Sequence, residues 1–196
     1  MGLKEVKAKL RTLKKDDLIR LFGELYKKNK TVKEYLDYWL EPNEEEIYYK
    51  YRQKVIEAFF PKQGHKVRLK QGKQAISDFK KFAPKPVLVA DLMLLYVESG
   101  TVLSAEEGVY DPTILTSLHK VLYELLNYNL KYDLMEIFRT RFDKLVIVSE
   151  NVGGFFYDIL VEMLFDFVPD FLAEFEEDEV EEERPSKTKI IEFPNQ

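Results

Sequence analysis

Apolar residues recur every three to four positions along most of this chain, the spacing of one face of an α-helix. Two clear stripes are Leu18, Leu21, Phe22 and Leu25, and then Val32, Tyr35, Leu36 and Trp39. Cap residues such as Asn43 and Asp111, and breakers such as Pro61, separate the segments. The pattern predicts an all-α fold, a compact array of about eight or nine helices in antiparallel pairs, with superhelical curvature left open.

One helix is predicted to be buried on all sides. The stretch from Pro86 to Val97 is almost entirely apolar and holds one ionisable residue, Asp91. A helix without a polar face belongs at the centre of a domain, so residues 86–98 are predicted to be a central buried helix, capped near Gly100 and followed by a loop over residues 101–109. The apolar run is 12 residues long. A bilayer needs roughly 20, so we expect no membrane span.

The C-terminal end differs from the rest of the chain. From Glu174 to Glu183, eight of ten residues are acidic, and no apolar stripe crosses them. Such a segment buries too little surface to offset its ordering entropy. We therefore predict a single all-helical domain over residues 1–173 and an acidic, flexible tail over residues 174–196.

Charge is divided unevenly along the chain. Residues 1–85 hold 22 Lys and Arg against 12 Asp and Glu, whereas residues 86–196 hold 8 against 23. The most basic segment, residues 62–85, has eight cations and one acid, Asp78. Gly64 and Gly72 predict a loop in its first half, and Ile76, Phe79 and Phe82 predict a short helix in its second half. The chain contains no cysteine, which fits a cytoplasmic protein in a reducing compartment.

The basic segment is the candidate anion-binding site. Its cations can contact phosphate groups of a nucleic acid or of a phosphorylated ligand, with an affinity that falls steeply with salt. The alternative is a solvated lysine face whose phenylalanines belong to the core. The candidate residues are His65, Lys66, Arg68, Lys70, Lys73, Lys80 and Lys81.

Asp91 is the one candidate buried polar residue. A carboxylate in an apolar helix is costly to bury unless it is paired. We expect an ion pair or hydrogen bond with a lysine of the preceding segment or with a nearby tyrosine. A structural role is favoured over a catalytic one.

Motifs of catalysis, metal binding and cofactor binding are missing from the sequence. No phosphate-binding glycine loop, dinucleotide fingerprint or nucleophile elbow is found, and His65 and His119 have no metal-ligand spacing. We therefore expect no enzyme, no metal and no cofactor. The leading hypothesis is a non-enzymatic helical module that binds an unknown protein partner. The alternative is an anion or nucleic-acid binder that uses residues 62–85, screened by the acidic tail.

A series of short motifs resembles a known family. The chain is similar to domain-of-unknown-function family 6155, small bacterial helical proteins, over roughly residues 3–168. Because that family is uncharacterised, the resemblance implies a helical fold and no particular activity. The motifs are Lys15-Asp16-Asp17-Leu18-Ile19, Leu25-Tyr26, Val32-Lys33-Glu34-Tyr35, Phe60-Pro61, Lys73 with Ala75-Ile76-Ser77-Asp78-Phe79-Lys80-Lys81, Asp91-Leu92-Met93 and Gly154-Phe155.

Overall fold

The structure, a computed structural model, describes residues 1–62, 66–108, 111–152 and 155–167. Within these ranges it contains nine α-helices, one short 3-10 helix and no strand, so the predicted all-α fold is confirmed. The predicted acidic tail lies outside the described residues. The helices are α1 (Leu3–Arg11), α2 (Lys15–Lys28), α3 (Lys30–Leu40), α4 (Glu44–Phe59), α5 (Leu69–Lys80), α6 (Pro86–Glu107), α7 (Pro112–Tyr132), α8 (Met135–Ser149), the 3-10 helix Glu150–Val152 and α9 (Phe155–Phe167).

Side-chain caps start three of these helices. Asn43 Oδ1 accepts a hydrogen bond from the Glu46 amide at 3.1 Å, and Asp111 Oδ1 accepts one from the Thr113 amide at 2.7 Å. Both caps were predicted, because short polar side chains satisfy the free amides of a first turn. The cap of α3 is Asn29, whose Oδ1 accepts a hydrogen bond from the Val32 amide at 3.1 Å.

By its internal contacts the chain divides into two units, residues 1–100 and residues 101–196. The helix α6 contributes residues 86–100 to the first unit and residues 101–107 to the second. The prediction of one domain over residues 1–173 stays a prediction.

The core of the first unit is built from α4, α5 and the first part of α6. Within α6, Val89, Ala90 and every residue from Leu92 to Val97 are buried, whereas Val87 and Leu88 are half-buried. The Tyr96 ring meets the Phe59 ring edge-on, with 4.7 Å between centroids. Such aromatic contacts combine a large buried area with a defined geometry.

Helix α5 begins earlier than predicted and runs through Gly72, where the sequence indicated a loop. A Cβ at Gly72 would lie 2.7 Å from Tyr96 Cε2 and 3.1 Å from Ala58 Cβ. Real Cβ atoms essentially never approach another atom as closely as 2.7 Å, and a contact of 3.1 Å is tighter than most. The glycine is therefore required by the close approach of α5 to α4 and α6, and not by a turn.

Helix α6 ends later than predicted. It continues through Gly100 to Glu107, so the predicted cap at Gly100 and the predicted loop are wrong over residues 101–107. Thr101, Leu103 and Ser104 are buried, and this burial sustains the helix beyond the glycine. At 22 residues the helix is long enough to cross a membrane, so its length does not exclude a membrane span, as the 12-residue apolar run had suggested. However, 72% of the most apolar stretch of this helix is buried inside the protein, which is typical of a core helix.

Helices α1, α2 and α3 contain no buried residue. The apolar stripe of α2 was expected to pack into a core, yet Leu21, Phe22 and Leu25 are exposed. Helix α3 contacts the rest of the unit through Tyr38. The Tyr38 ring packs edge-on against the Phe82 ring, with 5.3 Å between centroids. The first three helices therefore lie on the surface of the first unit and leave apolar side chains in solvent.

The second unit packs α7, α8, the 3-10 helix and α9 together. Its core contains leucines of α7 with aromatic residues of α8 and α9. The segment from Leu145 to Val148 is helical, as predicted, with Leu145 and Val146 buried. The largest fully buried side chains of the unit are Leu118, Leu122, Leu125, Phe142 and Phe156.

The packing at Gly72 generates the first testable prediction. The Gly72→Ala variant should lose about 1–2 kcal/mol of unfolding free energy, because overpacking against the fully buried Tyr96 outweighs the gain in helix propensity. Urea unfolding measures the difference. The matched control is Gly23→Ala in α2, where a Cβ would meet no atom within 4 Å and a gain of up to about 1 kcal/mol is expected. Equal stability of the two variants would contradict this account of α5.

Candidate functional site

Four of the predicted anion-binding lysines lie on one side of α5 and its C-cap, which is Lys81. Lys70, Lys73, Lys80 and Lys81 are all exposed and together are called the lysine stripe. At 3.6 residues per turn they fall within an arc of roughly 100°. The opposite side of the helix is formed by the buried residues Gly72, Ala75, Ile76 and Phe79. Burial of one face thus turns the lysines of the other toward solvent.

Acidic side chains nearby neutralise only part of the positive charge of the lysine stripe. Lys81 Nζ lies 2.6 Å from Asp78 Oδ1, which also accepts a hydrogen bond from Gln74 Nε2 at 2.9 Å. Burial alone would raise the pKa of Asp78, but the hydrogen bonds from Lys81 and Gln74 lower this pKa below its ordinary value. Within the described part of the chain, neither Lys70 nor Lys73 forms an ion pair.

The remaining predicted residues do not join the lysine stripe. Lys66 is exposed ahead of α5, and His65 lies outside the described residues. Arg68 precedes the first residue of α5, and its backbone amide donates to the Ala58 carbonyl of α4 at 2.7 Å. Its side chain lines a cleft on another side of α5. The predicted set is therefore divided between two surfaces.

That cleft lies between α4 and α5 and has a volume of about 210 Å³. We call it the Lys54–Arg68 cleft. Sequence reasoning missed Lys54 and both glutamines, although Gln71, Gln74 and Asp78 have the spacing of a helix face. The lining residues are Lys54, Glu57, Arg68, Gln71, Gln74, Ala75 and Asp78.

Lys54 is held in place by an aromatic ring. Its Nζ lies 3.9 Å from the centroid of the Tyr51 ring, a cation–π geometry. Burial lowers the pKa of the Lys54 ammonium below its ordinary value, although the nearby Glu34 opposes that effect. The charge of Lys54 is thus partly desolvated and fixed at the wall of the cleft.

Asp91 is partly buried and accepts a hydrogen bond from the Tyr48 hydroxyl of α4. A tyrosine was one of the two predicted kinds of partner. Burial, and then the hydrogen bond to Asp91, raise the pKa of Tyr48 well above its ordinary value, so the hydroxyl stays protonated and donates. The pair ties α4 to α6 within the first unit, which supports a structural role for Asp91.

A second cleft, of about 230 Å³, lies between α3 and α4 and is rich in carboxylates. Glu34 in its wall pairs with Lys50 at 2.9 Å. Burial alone would raise the pKa of Glu34, but the hydrogen bond and charge of Lys50 lower it. Within the described residues, no group of three metal-ligating side chains is placed to hold an ion. The lining residues are Glu34, Asp37, Tyr38, Glu41, Asn43, Glu46, Ile47 and Lys50.

His119 is half-buried on α7 and packs against a core residue of the second unit. Its ring stacks on the Phe156 ring with 5.0 Å between centroids and 15° between planes. Burial lowers the pKa of His119, while a hydrogen bond with the Phe156 backbone opposes the shift. Its Nε2 has no partner among the residues that the structure describes. The stacking indicates a packing role for this histidine.

Comparison with known proteins gives one match. Residues 1–152 match the model of a family of unknown function (DUF6155). No curated protein and no solved structure matches the chain. The matched region contains α1 to α8, and with them the lysine stripe, the Lys54–Arg68 cleft and Asp91. The acidic segment 174–196 lies outside it.

Proposed function

The chain belongs to the DUF6155 family, whose function is unknown, and we propose from its surface that it is a non-enzymatic helical module that binds a protein partner in the cytoplasm. The observation that carries the proposal is the lack of any buried residue in α1, α2 and α3. A helix with an apolar stripe gains stability chiefly by burying that stripe. The apolar stripes of α1, α2 and α3 are not buried in this way, so a partner can cover them.

The exposed apolar residues of α2 and α3 are large. Trp39 and Leu40 are each 67% exposed, Ile19 is 59% exposed and Phe22 is 49% exposed. We call the surface that these four residues define the α2–α3 surface. Scattered apolar side chains are normal on a protein surface, but groups of large ones are typical of interaction sites. Tryptophan in particular is enriched where protein partners bind.

The charge around the α2–α3 surface defines the partner's chemistry. Residues 3–40 hold 11 Lys and Arg against 6 Asp and Glu, a net charge of +5. An amphipathic helix with an acidic polar face offers both an apolar stripe and the opposite charge. We therefore propose that the α2–α3 surface binds an acidic amphipathic helix of another protein.

The lysine stripe favours a second candidate function, an anion or nucleic-acid binder. Four exposed lysines on one helix face can contact several phosphates of a nucleic-acid backbone. Such contacts supply much of the affinity of proteins for nucleic acids. In this alternative the acidic segment from Glu174 to Glu183 screens the stripe, since opposite charges attract within a Debye length of about 8 Å at physiological salt. This regulatory idea rests on the sequence alone.

Trp39 is the only tryptophan of the chain and reports directly on the first proposal. Titration with a synthetic helical peptide that has an apolar stripe and a glutamate-rich polar face should shift Trp39 fluorescence to the blue, because the indole leaves water. High salt should weaken the effect. A scrambled peptide of the same composition should have none.

The matched variants for this test replace exposed apolar residues in pairs. Ile19→Ser with Phe22→Ser should abolish the fluorescence shift, whereas Ile137→Ser with Ile147→Ser, exposed on α8, should preserve it. Concentration-dependent dimerisation that the first pair abolishes would assign the surface to a second copy of the chain and contradict the proposal. So would a shift of the same size with the scrambled peptide.

The second candidate is tested by fluorescence anisotropy with short RNA, single-stranded DNA and duplex at several salt concentrations. Four phosphate contacts on a single strand predict a slope of about −3 for log K against log salt. Lys70→Gln with Lys73→Gln should roughly halve that slope. Lys120→Gln with Lys144→Gln, exposed on α7 and α8, is the control. Salt-independent binding, or no binding, would eliminate this candidate.

The same titration tests the screening by the acidic segment. Truncation after Ala173 should increase the affinity for RNA, because the competing carboxylates are removed. The increase should be largest at low salt, where charges interact most strongly. An unchanged binding curve would refute the screening.

A further inference from the structure

The Lys54–Arg68 cleft carries an excess of positive charge once its acids are paired. Glu57 lies 3.5 Å from Lys62 Nζ, and Asp78 lies 2.6 Å from Lys81 Nζ. Neither of these lysines lines the cleft. The lining residues alone are neutral, with Lys54 and Arg68 against Glu57 and Asp78; counted with the two outer lysines, the region holds four cations against two acids, a net charge of +2.

The two cations have complementary chemistry. Lys54 is a point charge fixed over the Tyr51 ring, and burial has removed part of its hydration. Arg68 is exposed and offers a planar fork of donors, the geometry that matches two oxygens of a phosphate. Gln71, another residue of the lining, adds a neutral amide donor about one turn ahead of Gln74 on α5.

We propose that the Lys54–Arg68 cleft binds a phosphate group, carried by inorganic phosphate or by a small phosphate monoester. A phosphate monoester has a charge of about −1.5 to −2 at pH 7, which balances the two cations, whereas a monocarboxylate leaves one cation uncompensated. The volume of about 210 Å³ is smaller than the roughly 300–1,000 Å³ of pockets for drug-sized ligands. The site therefore suits a small ligand. Its lining shares no residue with the α2–α3 surface or with the lysine stripe.

The test is isothermal titration calorimetry of the full chain with inorganic phosphate, O-phosphoserine and acetate. Lys54→Met and Arg68→Gln should each weaken phosphate binding about tenfold or more, because each removes a charge-assisted hydrogen bond. Lys120→Met, exposed on α7, is the control and should leave the Kd unchanged. Since Arg68 is exposed, its variant tests the site even when Lys54→Met does not fold.

The three ligands distinguish the sources of the phosphate. Equal binding of phosphate and phosphoserine indicates a site for the phosphate group alone, and tighter binding of phosphoserine indicates a monoester; both support the proposal. Three results would overturn it: acetate binding as tightly as phosphate, phosphate binding that neither Lys54→Met nor Arg68→Gln weakens, and no phosphate binding at millimolar concentration. The Trp39 fluorescence assay is independent, so failure here leaves the proposed protein binding untouched.

Discussion

The close approach of α4, α5 and α6 at Gly72 is the constraint on which the first unit depends. With hydrogen in place of a side chain, the Tyr96 ring and the Ala58 methyl both reach the α5 backbone. Tyr96 is fully buried there and cannot move aside. This contact fixes which side of α5 faces the core. It thereby directs the lysine stripe to solvent and aligns Gln71, Gln74 and Asp78 along the cleft with α4.

The first three helices are organised differently. The hydrogen bond from the Tyr26 hydroxyl to Asp37 at 2.8 Å joins α2 to α3, and the ion pair of Lys50 with Glu34 at 2.9 Å joins α3 to α4. Such contacts between partly solvated groups contribute little stability compared with apolar burial. The unit thus combines a dry core with a helical surface whose apolar residues remain in water. That combination is what the proposed partner binding uses.

The sequence predicted those features that depend on local chemistry. The caps Asn43 and Asp111 act within one helical turn, and the apolar run of α6 has no face that tolerates water, so both could be inferred from neighbouring residues alone. Gly72 was misinterpreted because a glycine in a turn and a glycine at a close helix contact look alike until the partner helix is known, and Gly100 because a glycine inside a helix looks like a cap when the buried residues that follow it are not recognised. For the same reason Lys54 was missed: its role depends on the packing of α4 against α5. The apolar stripe of α2 was identified, but periodicity cannot tell whether a stripe is covered.

Amide hydrogen exchange of α5 tests most directly whether Gly72 is packed between α4 and α6. If Gly72 is packed between α4 and α6, the amides of residues 72–80 exchange slowly, at rates close to those of α4 and of residues 90–100 in α6, while those of α1 and α2 exchange much faster. If instead the amides of residues 72–76 exchange as fast as those of α1, α5 does not form the contact that directs its lysines and its cleft, and the account is wrong.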